Sequence, residues 1–535
     1  LLIAKNVKYS TENIRVINYE TTGDGRLWAG SEDGLHVVDI ESFTETRKYG
    51  KDQLATQDPL VQHTQHIGTD LWAVTQTPYL YRLDLRTNDL HRYLHDITDP
   101  YSISKTFVWP ILKDNTGTCW LRSEDYGLNY VAFDKIKFSI ISQSPLAENT
   151  MYGSEIRGLY AYGNKYVVIG SSAGLFIYYR DTEKLVRYEI EGVEKNAVYM
   201  PTENEVWVGT GTLYRYIIDH KAETSALLDR YDPDPENPQA LPGYYITYIF
   251  EDSKGNTWLT CLNGLAKVIG NKRGKGELKF KSYQHDPNDT TTLAGKLAWL
   301  CYADSKGQMW VTTANGLSKM DTATGICRNY RHDANNPHSI STNNPKCVTE
   351  DIEGNIWVGT EGGGLCKYLP EKDGFKTFTV DDGLPSYSVY GICTDEKGHL
   401  WMSTKKGICE FNPKTETFTT YGTSDGLQDM EYSIQSYYKN KLTKEILFGG
   451  ALGINIFNPA DIKKSSYQPK MLFTDFRIDN DHVPVGSKWR NGRTILDEPI
   501  WDTDTLILKN SENTIYLSFA TLDYADPKTY ATNTG

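Results

Sequence analysis

The chain has 535 residues, of which 39% are hydrophobic and 23% charged, with 69 acidic against 56 basic side chains and a net charge of −13. That length supports several cores, and the acidic balance weighs against nucleic acid or an anionic membrane surface as partner. No run of eighteen apolar residues and no charged-then-apolar leader occurs, so neither a membrane span nor a signal peptide is expected in this stretch.

From the amino end, one phrase returns ten times, clearest in Glu251-Asp252-Ser253-Lys254-Gly255-Asn256-Thr257-Trp258 and Asp351-Ile352-Glu353-Gly354-Asn355-Ile356-Trp357. Its anchors are Trp28, Trp72, Trp120, Val168, Trp207, Trp258, Trp310, Trp357, Trp401 and Leu447. The spacing runs from 39 residues (Val168 to Trp207) to 52 (Trp258 to Trp310). A period in the forties built of short β-patterned runs and Gly-containing turns predicts four-stranded propeller blades. In one complete unit, Ser388–Cys393, His399–Ser403, Lys406–Phe411 and Thr417–Tyr421 read as four strands, broken by polar turns. The anchor Trp is expected to be buried, with its indole N–H bonded. The aspartates Asp252, Asp304, Asp351 and Asp395 are expected to cap the turn's backbone N–H groups. The Asp-to-Trp spacing is one residue longer than in the sialidase Asp box.

Ten blades exceed the usual four to eight of one ring. Counting back from the last anchor, Val168 to Leu447 fill a seven-bladed propeller over 148–464, and residues 1–147 hold three blades of a first, incomplete one. A single ten-bladed ring is the alternative. After the last blade the phrase stops, and the alternating runs Met471–Ile478 and Thr514–Ala520 in 465–535 read as an incomplete immunoglobulin-like β-sandwich. The fold class is therefore all-β.

The eight cysteines fall at different phases of the repeat, without C-x-x-C or a histidine at zinc spacing. No metal and no cofactor is expected. Cys301 with Cys347, and Cys366 with Cys409, are placed as possible neighbours across adjacent blades.

Several segments resemble a known family. Leu384-Pro385-Ser386 running to Trp401, and Trp357 to Leu365, resemble the two-component-regulator propeller repeat. Asn513 to Pro527 and Phe473 to Ile478 resemble the triple-tyrosine sandwich domain that follows such propellers. The resemblance implies the periplasmic sensor region of a hybrid two-component system of gut carbohydrate-using bacteria. It further implies two seven-bladed propellers, the sandwich, one helix through the inner membrane, then histidine kinase and response-regulator modules. The implied ligand is an oligosaccharide released from a complex glycan, and the implied assembly a homodimer through the sandwich. The chain departs from the family in lacking four front blades and in ending where the family continues Tyr-x-Tyr-x-Leu-x-Gly, which reads as a boundary of the stretch at hand.

Within the repeat, the residue eleven before the anchor borders the central channel and varies usefully: Arg157, Asn196, Thr247, Trp299, Lys346, Tyr390 and Ser436, with Trp109 at the same offset in front. Aromatic faces mixed with Arg, Lys and Asn suit sugar recognition, and Arg157 with Lys346 would favour an acidic or sulfated sugar. The alternative is a merely hydrated channel lining. The arms Asp232–Pro238, His285–Asp289 and His332–Pro337 form a second candidate, whose plainer reading is Asx and Pro turns joining blades.

No carboxylate pair is singled out for acid–base work, and G-x-S-x-G, H-E-x-x-H and phosphate-loop patterns are absent. The fragment is therefore not expected to be an enzyme. A propeller glycan lyase or hydrolase, and a protein-docking scaffold, are the competing classes.

Overall fold

The computed structural model describes residues 16–76, 79–95, 102–104, 108–114, 118–123, 127–131, 138–142, 150–192, 196–270, 277–462, 471–490 and 492–521. The chain divides into two compact units, Lys135–Lys463 and a second made of Leu1–Asp134 with Lys464–Gly535. Almost all regular structure is strand; among the described residues the only helical segments are three short 3-10 turns, Val380–Asp382, Thr423–Asp425 and Pro459–Asp461.

In the larger unit seven antiparallel sheets form a closed β-propeller. The inner strands are Ile156–Tyr162, Ala197–Thr202, Ile246–Glu251, Ala298–Ala303, Pro345–Glu350, Val389–Thr394 and Tyr437–Lys439. Each lies beside the next, and Tyr437–Lys439 lies beside Ile156–Tyr162, which completes the circle. Six blades take their four strands in chain order. The seventh does not: its outer strand is Ser139–Ile141, paired antiparallel with Gly453–Phe457 through Ser139↔Ile456 and Ile141↔Ile454. Phe138 locks this strap, its ring 4.7 Å from Phe457 and 5.3 Å from Tyr421. The unit thus begins ahead of the boundary at 148 that anchor counting gives. A three-residue strand with no anchor carries no repeat phrase, so counting cannot register it.

One carboxylate organises each typical blade. In the fourth, Asp304 accepts the backbone N–H of Lys306 (3.0 Å) and Gln308 (2.8 Å) on Oδ1, while Oδ2 takes the Trp310 indole N–H at 2.9 Å. Asp252 with Trp258, Asp351 with Trp357 and Asp395 with Trp401 repeat this at 3.0, 2.8 and 3.1 Å. The turn between them needs a left-handed residue, supplied by Gly255, Gly307, Gly354 and Gly398 at φ of 75 to 84°. Buried in the sheet interfaces, the indoles anchor the cores: Trp357 packs edge-on to Phe411 at 5.4 Å, and Trp401 meets Phe457 at 5.0 Å.

The second blade of the ring has Pro201 where the aspartate would stand. There Glu205, two residues before Trp207, takes the indole N–H at 2.7 Å. Arg215, fully buried, pairs with Glu205 at 2.7 Å and with Asp229 at 2.9 Å.

In the smaller unit, sheets Val16–Tyr49 and Leu80–Tyr93 with Val61–Thr75 are four-stranded, and Val108–Lys113, Cys119–Ser123 and Gly127–Val131 form three strands of another. Trp120 repeats the carboxylate bond, to Asp114 at 2.8 Å. Past the ring, Met471–Ile478 pairs antiparallel with Ile515–Thr521 and with Asp481–His482 over a core of Phe476, Ile478, Val483, Leu496 and Ile500. All eight cysteines are buried free thiols, so neither Cys301 with Cys347 nor Cys366 with Cys409 is bonded.

Removing the shared carboxylate should unlatch a turn and an indole together. Asp351→Ala is expected to cost about 2–3 kcal/mol in chemical denaturation, the scale of losing charge-assisted bonds to buried donors. Glu205→Ala should cost more, about 3–5 kcal/mol, because it removes the buried partner of the Arg215 charge as well as the indole's acceptor.

Candidate ligand site at one mouth of the ring

Pairing of the first two strands slips once in most blades, and at the same place. The ladder jumps from Ile156 to Gly158, Ile246 to Tyr248, Ala298 to Leu300, Pro345 to Cys347 and Val389 to Gly391. The skipped residues are Arg157, Thr247, Trp299, Lys346 and Tyr390. A bulge residue leaves the alternation of its strand, so its side chain is re-aimed. Asn196 stands immediately before its inner strand and donates its N–H to Gly209 at 3.0 Å.

Contacts among these residues place the strand starts together at one mouth of the channel. Arg157 Nη1 donates to Asn196 Oδ1 at 3.4 Å and to the Tyr245 hydroxyl at 2.5 Å, while Nη2 pairs with Glu155 at 2.9 Å. The Lys346 ammonium lies 4.1 Å from the centre of the Trp299 ring and 3.3 Å from Glu361 Oε2. Glu361 also accepts from Asn344 Nδ2 at 2.8 Å. Gln435 Nε2 donates to the Trp299 carbonyl, and the Trp299 indole N–H is buried with no hydrogen-bond partner among the described residues. Ser436 Oγ is likewise buried, with no partner among the described residues. Lys405 stands beside the Tyr390 hydroxyl, close enough to act on it electrostatically.

Electrostatics at this mouth are uneven. Burial, partly offset by Glu361, pulls the Lys346 pKa below the ordinary lysine value, and Arg157 adds to the lowering. For Arg157, burial disfavours the charge, but Glu155 and Tyr245 outweigh it and raise its pKa. Burial raises the Tyr390 pKa against the pull of Lys405.

Not every position named from sequence joins this group. Thr247 Oγ1 donates to the Ala298 carbonyl at 2.7 Å and meets Thr260 Oγ1 at 2.8 Å, a bond between neighbouring blades that leaves it a scaffold residue. Trp109 lies on the strand Val108–Lys113 of the other unit, and its side chain is outside the described residues. The turn arms are self-satisfied: Asp234, Asp286 and Asp333 accept the N–H of Glu236, Asn288 and Asn335 at 3.0, 2.9 and 2.9 Å.

Sequence reasoning missed Tyr245, Glu361, Lys405 and Gln435. Glu361 and Lys405 each stand four residues after the anchor, in the turn leaving the second strand, a fixed offset that could have flagged them. Tyr245 and Gln435 hold left-handed backbone at φ 59° and 63°, which no residue-type pattern signals outside glycine and asparagine.

The two-component regulator propeller family model matches residues 339–362 and 383–406, the segments that carry Lys346, Glu361, Tyr390 and Lys405. A relative called histidine kinase P4, from Formosa agariphila, is 24% identical over 394 residues, 72% of this chain. The chain spans 27% of that relative's length. Among solved structures, the extracellular domain of BT4673 from B. thetaiotaomicron, named as a hybrid two-component system, is 20% identical with a TM-score of 0.47. The match covers 97% of this chain and 66% of that one. Virginiamycin B lyase from Staphylococcus aureus is 16% identical with a TM-score of 0.44, covering 60% of this chain and 98% of the lyase. Two repeats of this chain, on the fifth and sixth blades of the ring, thus match the two-component regulator propeller model.

Proposed function

We propose that the chain is part of the ligand-sensing ectodomain of a hybrid two-component sensor, histidine kinase and response regulator in one protein, in the periplasm. Its ligand on this reading is an acidic oligosaccharide bound at the mouth, and its output the control of glycan-utilisation genes. The rest of the receptor would cross the inner membrane, with homodimerisation through a triple-tyrosine sandwich after the ring. The observation that carries the reading is the set of bulges that gathers Arg157, Trp299, Lys346 and Tyr390 at one opening. Two cations, a flat indole and a phenol answer the carboxylates, apolar sugar faces and hydroxyls of an acidic glycan.

The resting contacts suggest how such a ligand enters. Lys346 is shared between Glu361 and the Trp299 face. A ligand carboxylate or sulfate that competes with Glu361 draws the ammonium away from the ring and uncovers an indole face for a sugar.

Trp299→Ala or Arg157→Ala should weaken binding of an acidic oligosaccharide several-fold, about 1–3 kcal/mol, with the melting transition little changed. Unaltered calorimetric affinity in both variants would refute the site.

Lys346 gives the reading a pH signature. Because its pKa is lowered, it loses its proton at a lower pH than an exposed lysine, and the uncharged amine no longer attracts an anion. Affinity should therefore fall as pH rises on the alkaline side, and Lys346→Arg should flatten that fall in a calorimetric pH series.

The signal is proposed to leave at the connection 458–466, where Asn458 caps the turn Pro459–Asp461 by accepting the Ala460 N–H at 3.0 Å. Residues 463–466 lie outside the described residues. In the full-length receptor, flexible residues inserted after Lys464 should leave ligand affinity intact and abolish ligand control of the kinase. Normal switching in that variant would exclude this exit.

A further inference from the structure

The inner strands end around a cavity of about 500 Å³ at the other end of the channel. Its walls are aromatic: Tyr160, Tyr199, Tyr248, Phe250, Tyr302 and Tyr438. Tyr160 meets Tyr199 edge-on at 5.3 Å and Tyr438 at 5.0 Å, and Phe250 lies 6.5 Å from Tyr248 and 6.1 Å from Tyr302. Tyr160, Tyr248, Phe250, Tyr302 and Tyr438 are only partly buried although they sit at the centre of the ring. All five line this space.

Two carboxylates share the lining, Glu251 and Glu350. Glu251 accepts the Tyr199 hydroxyl, and Glu350 accepts the Ser305 N–H at 2.8 Å and hydroxyl at 2.5 Å. Among the described residues neither has a lysine or arginine partner, whereas Glu155 and Glu361 at the opposite mouth both do. Of the lining lysines, Lys439 is tied to Glu396 at 2.8 Å and Lys441 is exposed to solvent. The carboxylates act on the rings too. Burial first, then Glu251, pushes the Tyr160 pKa up to about 12, and burial with Glu350 does the same for Tyr302. These phenols stay neutral, and their π faces keep the negative quadrupole that attracts cations.

We propose that this cavity is a second ligand site, separate from the mouth, and that it binds a small organic ammonium ion: aromatic faces enclose the alkyl-ammonium surface and Glu251 and Glu350 supply the opposite charge. The volume lies within the range of small-molecule pockets. This inference does not depend on the glycan reading.

The test is calorimetry on the full chain with choline, tetramethylammonium and the uncharged choline isostere 3,3-dimethylbutan-1-ol. Both cations should bind, and the alcohol at least ten-fold more weakly. Glu251→Gln and Glu350→Gln, which keep shape and remove charge, should each weaken choline several-fold, as should Tyr160→Leu. Trp299→Ala at the far mouth should leave choline binding unchanged. Absence of cation binding, equal binding of the alcohol, or unchanged affinity in both Gln variants would overturn the proposal, and the two Gln variants decide it even if Tyr160→Leu does not fold.

Discussion

A carboxylate shared between a turn and an indole is the contact from which each standard blade is built. One oxygen of Asp351 takes two backbone N–H groups of the turn, and the other takes the Trp357 indole N–H. Turn geometry and the position of the largest side chain in the sheet are thereby set by one residue. An indole buried without that bond would forfeit a hydrogen bond in a low-dielectric interior. The second blade tests the logic: with Pro201 in the aspartate position, Glu205 takes over the indole, and its longer reach brings in Arg215 and Asp229. Two buried groups and the half-buried Asp229 then do what one carboxylate does elsewhere, with the desolvation cost that a buried ion pair carries.

Closure imposes a second constraint. Seven blades leave the first and last to be joined, and an open sheet edge there would invite pairing with another chain. The strap Ser139–Ile141 supplies the missing outer strand, and Asn455 Nδ2 reaches its Ser139 carbonyl at 3.4 Å. Each blade is then packed on two neighbours, so internal reshaping of the ring would disturb several cores at once. On the proposed sensor reading, ligand energy spent on one mouth would be more readily expressed where the ring ends than within it.

The blades were legible because their determinants are local. Trp258, Asp252 and Gly255 lie within seven residues, and each carries its own reason for being there. The bulge positions were legible for the same reason: they keep a constant offset of eleven from the anchor, so Arg157, Trp299, Lys346 and Tyr390 could be named without knowing that a bulge turns them. Thr247 shares the offset, yet its hydroxyl is satisfied by the next blade, a fact that depends on a neighbour 51 residues away. Long-range partners are invisible to phase. The strap at Ser139–Ile141, more than 300 residues from Gly453–Phe457, and the tyrosines at the strand ends were missed on that account, since in sequence Tyr160, Tyr248 and Tyr302 are ordinary β-strand residues.

The same strands thus present different chemistry at their two ends. At their starts the bulge breaks the alternation and releases long polar side chains, Arg157 and Lys346, whose charges are balanced by Glu155 and Glu361. Towards their ends they carry aromatic side chains, and Glu251 and Glu350 stand without basic partners among the described residues. A channel with paired cations at one opening and unpaired carboxylates at the other is electrically polar along its axis. Between the two, Gly391 faces the Tyr437 ring so closely that a Cβ would lie 2.7 Å from it, and Gly158 presses on Val198. Adjacent inner strands therefore meet with no room for side chains at these points.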